Sequence, residues 1–233
     1  MMSVEEKRGY VRRFFPGTGS SYDRIVSVCT FGVDQGWKRR IVAKLNHPLR
    51  VLDLACGTGI LTLEIARRYP DCQIVGVDVT ASYLQQAREK ARRLGQGQIR
   101  FEQGWAEEFG SEAPFDAILS SYLAKYADLP VLVQRTSRML NAGGLLLFHD
   151  FTYPKNRVLS SAWELHFKFL QTFASRIYPQ WREVFCELPG LIRRTRWVEE
   201  LVDVLRENGL IQIEVEPLTL QGATLVSARK PLP

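Results

Sequence analysis

A glycine-rich turn between an apolar run and a helical pattern is the part of this sequence best suited to ligand chemistry. Val51 to Ala55 is an apolar run typical of a buried parallel strand, and Cys56-Gly57-Thr58-Gly59 follows it directly. Glycines at a turn adopt positive φ angles and allow the backbone to approach a ligand closely. The helical pattern that begins at Ile60 directs unpaired N–H groups and a partial positive charge toward the same point. The sequence therefore predicts a ligand site at this turn.

The residues of the turn discriminate between classes of nucleotide ligand. A dinucleotide fingerprint requires a third glycine for close helix–strand packing, and Thr62 stands at that position. A phosphate-binding P-loop requires a Gly-Lys-Ser/Thr ending, and no lysine occurs between Arg50 and Arg88. A nucleoside ligand without phosphates remains, and S-adenosylmethionine fits that description. An ordinary strand–helix turn with no ligand is the alternative.

A carboxylate at the end of the next apolar run supports a nucleoside ligand. Gln73 to Asp78 is apolar except at its ends, and Asp78 follows the glycines by about 20 residues. An acid at this distance accepts hydrogen bonds from ribose hydroxyls in sheets of this kind. Each such bond to an ionised carboxylate contributes about 1.5–3 kcal/mol. The alternative is that Asp78 only caps a helix starting near Thr80.

Regular alternation of strand and helix patterns predicts the elements that position these residues. We predict strands at about 50–55, 73–78, 98–103, 115–120 and 143–151, with helices at about 58–69, 80–94 and 128–140. This alternation is typical of βαβ units in a parallel sheet, which binds ligands at the carboxyl ends of its strands. Residues 193–233 add a helix and a hairpin with strands at about 210–216 and 222–229, so one strand is expected to be antiparallel.

The first 46 residues are expected to form a helical lid over the site. We predict helices over Glu5–Phe15 and Trp37–Leu45, with a flexible loop at residues 17–21. Aromatic rings in such a segment exclude water from a cofactor, and their faces stabilise a sulfonium cation. The candidates for these rings are Tyr22, Phe31 and Trp37. Packing without a functional role is the alternative.

Residues 152–192 interrupt the alternation with a dense set of aromatic side chains. The segment is too long and too apolar for an ordinary surface loop, so we predict a helical cap packed over the strand ends. Its aromatic residues are Trp163, Phe167, Phe169, Phe173, Tyr178, Trp181 and Phe185. Such a cap suits a flat or apolar small molecule, and core packing or a homodimer contact is the alternative. After the cap, Thr195 is expected to N-cap a helix that ends at Asn208.

Composition indicates a single domain over residues 1–233, because 45% of the chain is hydrophobic and supplies an ample core. The four cysteines and three histidines lack metal-ligand spacing, so no metal site is predicted. No apolar run is long enough to span a bilayer, and no hydrophobic segment follows Arg12-Arg13 as an export signal would require. These observations predict a cytoplasmic protein.

The net charge of +6 has three explanations. A solvated basic surface is the simplest, and peripheral contact with an anionic membrane surface or an acidic substrate are the others. Nucleic acid is not an expected partner, because the arginines are dispersed along helices instead of clustering with aromatic residues.

Two further stretches carry a family resemblance. Tyr22-Asp23, Thr30-Phe31-Gly32 and Trp37-Lys38-Arg39 keep the spacing of an N-terminal signature. Arg138 to Gly144, followed by Asp150-Phe151-Thr152, is similar to a second signature, usually Arg-Val-Leu-Lys-Pro-Gly-Gly followed by Glu-Phe-Ser. On these motifs the chain resembles the ubiquinone/menaquinone biosynthesis C-methyltransferase family from about residue 20 to its end. The resemblance implies a seven-stranded, mostly parallel Rossmann-like methyltransferase sheet, with the lid at 1–46, a cofactor-binding core at 50–151 and the cap at 152–192 inserted after the fifth strand.

The glycine turn and the resemblance together predict the residues that contact S-adenosylmethionine or its product S-adenosylhomocysteine. They are Tyr22, Trp37, Asp53, Ala55, Gly57, Thr58, Gly59, Asp78, Val79, Trp105, Ala106 and Ser120. The family usually has Asn or Asp, facing the adenine amine, where this chain has Trp105. Since indole cannot accept that hydrogen bond, the contact becomes stacking or passes to Glu107.

This chain departs further from the family at the positions that contact the methyl acceptor. The family's Arg-Asn pair, which lies over the substrate, corresponds here to Ala124-Lys125. Asp34 replaces a signature histidine, and Val26 replaces an asparagine. The sequence therefore predicts methyl transfer to a small aromatic or quinone-like acceptor, with C-methylation as the reaction and O- or N-methylation of another small molecule as the alternative. A non-catalytic interaction protein on a degenerate methyltransferase fold is the alternative of a different class.

Methylation of a phenolic ring carbon requires a base, because the carbon becomes nucleophilic when the hydroxyl loses its proton. His149, beside Asp150 at a strand end, is the first candidate, since the pKa of a histidine depends strongly on its environment. Tyr122 and Tyr153 are further candidates, as is His166 in the cap. The alternative for His149 is that strand alternation directs it into a packed face of the sheet.

Overall fold

The computed structural model describes residues 2–233, which form a seven-stranded sheet with helices on both faces. The strands are β1 (Arg50–Leu54), β2 (Gln73–Asp78), β3 (Ile99–Gln103), β4 (Phe115–Ser121), β5 (Leu140–Phe151), β6 (Ile211–Leu218) and β7 (Ala223–Arg229). The helices are α1 (Val4–Phe14), α2 (Tyr22–Cys29), α3 (Val33–Ala43), α4 (Ile60–Arg68), α5 (Ala81–Arg93), α6 (Leu129–Met139), α7 (Arg157–Phe169), α8 (Ser175–Ile177), α9 (Arg182–Arg194) and α10 (Trp197–Glu207).

The strand order β3-β2-β1-β4-β5-β7-β6 confirms the predicted α/β fold. Strands β1 to β5 pair in parallel, whereas β7 is antiparallel to both of its neighbours, β5 and β6. Strands β1 and β2 are almost continuously apolar because both faces of the sheet are covered, and a separate apolar cluster fills each face. The sheet therefore brings the carboxyl ends of β1, β2 and β4 to one edge.

The lid and the cap pack against each other above that edge. A third apolar cluster joins Phe14 of α1 and Ile25 of α2 to Trp163 and Phe167 of α7 and to Trp181. The helical cap that was predicted after the fifth strand is confirmed as α7 to α9. Two segments that are far apart in sequence thus form one roof over the strand ends.

The lid differs from its prediction in the region of the expected loop. A short 3₁₀ turn occupies Gly19–Ser21, and α2, which was not predicted, follows it at once. The Thr18 hydroxyl lies 2.5 Å from the Tyr83 hydroxyl of α5, which fixes this segment to the core. Helix α3 begins at Val33, before the predicted start at Trp37. The φ of 75° at Gly32 separates it from α2, because a left-handed residue cannot continue a helix and Gly32 serves as the N-cap of α3.

The predicted N-cap at Thr195 is wrong. Its hydroxyl donates to the Leu191 carbonyl 2.9 Å away and so completes the end of α9. Helix α10 begins at Trp197, and its N-cap position is Arg196, whose side chain makes no capping bond. The last carbonyls of a helix have no backbone partner, so a threonine that follows the helix directly can donate its hydroxyl to one of them. Thr195 does so here, and its hydroxyl makes no capping bond to the N–H groups of α10.

Over residues 2–233, no helix is long and apolar enough to cross a membrane. The same residues contain no group of histidine, cysteine and acidic side chains arranged to hold a metal ion, and the cysteines are free. The cytoplasmic location and the lack of nucleic-acid binding remain predictions.

Candidate active site

A cavity of about 270 Å³ lies between the strand ends and the roof formed by lid and cap. Its floor comes from the segments that follow β1, β2, β3 and β4, and its walls are mainly aromatic and aliphatic. The residues that the sequence analysis named for the site and that line this cavity include Tyr22, Phe31, Trp37, Ala55, Gly57, Asp78, Val79, Trp105, Ala106, Glu107, Tyr122 and His166. The tertiary fold thus collects most of the predicted site at one opening.

The turn after β1 has the backbone that a closely approaching ligand requires. Ala55, Gly57 and Gly59 have φ angles of 55°, 56° and 83°, which all lie in the left-handed region. An alanine held there is strained, and such strain is found mainly at functional sites. Gly59 is the N-cap residue of α4, and a Cβ on it would lie 3.2 Å from the Cβ of Ala87. The turn is therefore restricted both in conformation and in space.

The Asp78 carboxylate joins this turn to the next strand. One of its oxygens accepts from the Gly57 N–H at 2.9 Å, and the other accepts from the Thr80 N–H at 2.8 Å. Burial raises the pKa of Asp78, and these two N–H donors oppose that rise. Asp78 therefore does bind the N–H at the start of α5, which was the alternative to ribose binding. Since each oxygen has a second lone pair, the carboxylate can also accept from ribose hydroxyls in the cavity that it lines.

An Asp78→Ala substitution is expected to weaken S-adenosylmethionine binding at least about tenfold, because it removes a charged acceptor for two hydroxyl groups. Isothermal titration calorimetry measures this change. Asp71→Ala, which removes an exposed carboxylate just before β2, is the matched control and should leave the affinity unchanged. Equal affinities for the two variants would exclude Asp78 from the ribose contact.

Two predicted cofactor residues are engaged elsewhere. The Thr58 hydroxyl donates to Asp23 of α2 at 2.5 Å, so it holds the lid to the turn. The Ser120 hydroxyl donates to the Leu54 carbonyl at 2.9 Å and lies outside the cavity. Ser121, one residue further along β4, lines the cavity instead. Side chains alternate along a strand, so these two serines face opposite sides of the sheet, and a cofactor contact from Ser120 stays a prediction.

Asp53 lies in a smaller cavity beside the first. This second space shares Tyr22, Ala55 and Tyr122 with the larger one and also contacts Thr58. Asp53 is buried, and its carboxylate accepts from the Thr62 hydroxyl at 2.6 Å. Burial raises the pKa of Asp53 to about 7, and the Thr62 hydrogen bond and the charge of Lys38 oppose the rise. Asp53 thus lies directly beside the turn after β1, and its contact with the cofactor stays a prediction.

The raised pKa of Asp53 predicts a pH-dependent stability. Between the ordinary value of 3.8 and the folded value of about 7, the folded state binds a proton that the unfolded state releases. Stability is then lost as the pH rises through this window, by at most about 1.4 kcal/mol for each pH unit. Asp53→Asn keeps an acceptor for Thr62 and should flatten this part of the profile. Urea unfolding from pH 4 to pH 8 measures the difference, and parallel profiles would contradict the assignment.

Trp105 and Ala106 line the part of the cavity that follows β3, as predicted for residues near the adenine. The Arg8 guanidinium lies over the Trp105 indole, 4.5 Å from the ring centre, so the lid covers one face of this ring. Glu107 is buried and lines the same region, and its carboxylate accepts from the Asp128 N–H at 3.2 Å. Stacking on Trp105 and acceptance by Glu107 are therefore both available to a purine.

Two of the predicted catalytic residues do not line either cavity. His149 is fully buried in β5, and burial keeps the pKa of its imidazole well below the usual range. Its Nδ1 lies 2.8 Å from the Ser121 hydroxyl, and its Nε2 has no partner among residues 2–233. The Tyr153 hydroxyl donates to Glu164 at 3.1 Å beneath the cap. Neither side chain is placed to contact an acceptor directly.

Tyr122 and the weaker candidate His166 do line the cavity, and Tyr122 lies nearer the turn after β1, with which it also shares the smaller cavity. Its φ of 72° is unusual for a residue with a large side chain and indicates a backbone held under strain. Its ring stacks on Phe151 at 4.7 Å between ring centres, and its hydroxyl donates to Asp34 of α3. Burial and the neighbouring Asp34 charge raise the pKa of Tyr122 well above the ordinary value. The phenol therefore stays protonated, with its oxygen free to accept a hydrogen bond.

Sequence reasoning missed the buried ion pair behind Tyr122. Asp34 and Lys38, one helical turn apart on α3, are both buried and lie 2.8 Å apart. Lys38 also donates to the Ser121 hydroxyl at 2.8 Å, which connects the pair to His149. The sequence offers little signal for this pair, because α3 also carries Gln35, Arg39 and Arg40, and an acid and a lysine four residues apart in such a helix usually form a solvent-exposed pair.

Lys125, which stands in the position of the family's Arg-Asn pair, is a second buried cation. Its ammonium lies 2.5 Å from the Asp150 carboxylate, and both side chains are at most 2% exposed. Desolvation lowers the pKa of Lys125, and the Asp150 charge opposes this shift. The ammonium also lies 4.4 Å from the centre of the Tyr126 ring. Lys125 lines the cavity, but its charge is already compensated by the protein.

The glycine turn, the acid at the end of β2 and a sheet whose β7 runs antiparallel define a class I S-adenosylmethionine-dependent methyltransferase. A model of the ubiE/COQ5 methyltransferase family matches residues 1–229, so the chain belongs to that family and S-adenosylmethionine is its cofactor.

Curated relatives agree with this assignment. The chain is 31% identical to a demethylmenaquinone methyltransferase of Deinococcus radiodurans, over 88% of this chain and 86% of the relative. It is 28% identical to the ubiquinone/menaquinone biosynthesis C-methyltransferase UbiE of Desulfotalea psychrophila, over 90% and 86% of the two chains.

Solved structures share the fold. One is phosphoethanolamine N-methyltransferase 2 of Haemonchus contortus in complex with S-adenosyl-L-methionine, with a TM-score of 0.62 and 16% identity. That alignment covers 85% of this chain and 52% of the structure, so this chain spans about half of it. Another is the N-methyltransferase NodS of Bradyrhizobium japonicum with S-adenosyl-L-homocysteine, with a TM-score of 0.56 and 16% identity over 85% and 86% of the chains.

Proposed function

We propose that this methyltransferase methylates a ring carbon of a hydroxylated, quinone-like aromatic acceptor. The observation that carries the proposal is an aromatic and aliphatic cavity in which Tyr122 presents a hydroxyl beside the cofactor turn. A flat ring fits between such walls, and its own hydroxyl can meet that of Tyr122. The relatives named as demethylmenaquinone methyltransferases favour the same class of acceptor.

The cofactor site fits S-adenosylmethionine, because the turn after β1, Asp78 and the residues after β3 all line one cavity. When bound, the cofactor supplies an electrophilic methyl group. The role of the chain is then to align the acceptor carbon with that methyl group and to exclude water, and alignment alone removes several kcal/mol of a displacement barrier. Tyr22 of the lid and Trp181 of the cap, 5.9 Å apart between ring centres, close the site from above.

The proton of the acceptor has a path into the protein. The acceptor O–H bond breaks as its proton moves to the Tyr122 oxygen, and the proton of Tyr122 moves to the Asp34 carboxylate that it already contacts. The acceptor becomes an anion with a nucleophilic ring carbon, Tyr122 is unchanged and Asp34 is protonated. Lys38 holds the carboxylate in place at 2.8 Å. In this scheme His149 supports the network through Ser121 and does not contact the acceptor.

Methylation of an oxygen or nitrogen atom is the second candidate function. The residue at position 125 is the observation that supports it. The buried pair with Asp150 replaces the polar pair that the family places over its substrate, so the ring-recognition groups of this chain differ. Cofactor binding and proton removal would be common to both reactions. The two candidates therefore differ only in which acceptor atom is aligned.

The experiment that tests the proposal is a transfer assay with radiolabelled S-adenosylmethionine against reduced demethylmenaquinone, simple hydroxynaphthalenes and phosphoethanolamine. Label in the quinone-like product, followed by NMR that places the methyl group on a ring carbon, is the expected result. A methyl ether or a methylated amine would establish the second candidate instead. Cofactor binding by calorimetry without transfer to any acceptor would contradict both.

A further inference from the structure

The cap helix has an apolar face that points away from the cavity. Along α7, α8 and the turn between them, large apolar side chains recur every four residues on the outside. We name this surface the outer cap face, and it consists of Leu165 (69% exposed), Phe169 (55%), Phe173 (51%) and Ile177 (70%). Scattered exposed apolar residues are ordinary, but a continuous row on one helix face marks an interaction surface.

The same helix is apolar on its inner side as well. Trp163, Phe167, Leu170 and Ala174 are buried in the cluster that roofs the cavity. Residues 170–174 form a π-helical turn, which is wider than an α-helical turn and so keeps side chains four residues apart on one side. Phe169 and Phe173 accordingly lie 5.0 Å apart between ring centres. Packing of the roof explains the inner row and leaves the outer row unexplained.

The helix that carries the outer cap face also borders the cavity. His166, adjacent to Leu165 in sequence, lines the cavity and lies 4.9 Å from Phe31 between ring centres. Phe31 also lines the cavity, yet 79% of it is exposed and its φ is 51°, so the backbone holds an aromatic ring in solvent at some cost. An exposed aromatic ring therefore lies at the opening of the active site, against the same helix that carries the outer cap face.

Basic residues accompany this surface. Arg157, Lys168 and Arg176 are exposed on the segment 157–177. The one acidic residue of that segment, Glu164, is paired with Arg193 at 2.7 Å. A helix binds in the headgroup region of an anionic bilayer when its apolar side chains insert among the lipids and flanking unpaired cations contact the negative headgroups.

We propose that the outer cap face docks this enzyme on an anionic lipid surface, with the mouth of the cavity facing the bilayer. A second copy of the chain is the competing occupant. In a two-fold interface through this face, both copies would contribute Lys168 and Arg176 to one contact, and these like charges would repel. The charge pattern thus favours lipid. The proposal does not depend on which acceptor atom is methylated.

The test is co-sedimentation of the protein with vesicles of phosphatidylcholine, with and without phosphatidylglycerol. We expect binding to the anionic vesicles, and at least about tenfold weaker partitioning for Leu165→Ser combined with Phe169→Ser. Lys168→Glu combined with Arg176→Glu should remove the preference for phosphatidylglycerol. Leu94→Ser, at the end of α5, removes a side chain that is 62% exposed on a different element and is the matched control. All variants should keep the wild-type affinity for S-adenosylmethionine, which shows that they are folded.

The outcomes separate lipid from a second copy. Vesicle binding that is lost in the Leu165/Phe169 variant and kept in Leu94→Ser supports the proposal. Equal binding by wild type and the Leu165/Phe169 variant overturns it, as does no binding by wild type. A wild-type dimer in sedimentation velocity that the Leu165/Phe169 variant converts to a monomer, without vesicle binding, would assign the face to self-association. Since no acceptor is used, the result does not depend on the reaction proposed above.

Discussion

Replacing Tyr122 by phenylalanine is expected to lower kcat about 100-fold or more, because the hydroxyl that would carry the acceptor's proton to Asp34 is lost. The phenylalanine ring can keep the stack on Phe151, so the fold should be retained. Affinity for S-adenosylmethionine should change little, since the hydroxyl faces α3 and not the ribose side of the cavity. Single-turnover methyl transfer together with calorimetry measures the two effects separately.

Tyr153→Phe is the control for this substitution. It removes a hydroxyl of the same type whose partner is Glu164 and which does not line the cavity, so activity should stay near the wild-type value. Asp34→Asn should share the defect of Tyr122→Phe if the carboxylate receives the proton. Full activity in Tyr122→Phe would refute the proton path, and a loss confined to a His149→Gln variant would transfer the role of base to His149.

Replacing Lys125 by methionine is expected to lower the free energy of unfolding by about 3–5 kcal/mol, because it leaves the Asp150 carboxylate buried without its cation. Adding Asp150→Asn should recover much of the loss, since no uncompensated charge then remains. The Asn side chain can still accept from the Lys125 backbone N–H, which Asp150 now binds at 3.1 Å. Urea unfolding of the single and double variants measures the coupling between the two residues.

Lys155→Met provides the exposed counterpart. Lys155 pairs with Glu199 at 3.2 Å, but the two side chains are 88% and 41% exposed. Solvent screens such a pair, so its loss should cost less than about 1 kcal/mol. Similar destabilisation by Lys125→Met and Lys155→Met would show that the buried pair contributes no more to stability than an exposed one.

The cofactor half of the site could be predicted because its signals are local in sequence. Glycines directly after an apolar run, and an acid at the end of the next run, imply a turn and a strand end whatever the rest of the chain does. Parallel pairing then places Gly57 beside Asp78, and the structure joins them by a 2.9 Å hydrogen bond. The alternation of strands and helices predicted the sheet for the same reason.

Side-chain direction and long-range partners could not be predicted in this way. Ser120 and Ser121 are neighbours of the same type, and the register of β4 against β1 decides which of them faces the cavity. His149 was expected at the reaction centre, but the pairing of β5 with β7 places it in the packed interior. The lid helix α2 was missed because it lacks a side-chain cap and packs instead through Tyr22, whose ring contacts Tyr83 of α5 and Trp181 of the cap.

The amino-acid sequence by itself determined that this chain folds as a methyltransferase and that its glycine turn lies beside Asp78. Only the tertiary structure decided which side chains surround Tyr122, because Asp34, Tyr122 and Phe151 lie far apart in sequence and meet only when α3 packs beside the ends of β4 and β5. Local patterns determine helices, strands and turns, since those depend on neighbouring residues. A buried polar network depends on which distant side chains share a space without water, and that is settled when the sheet and its roof close together.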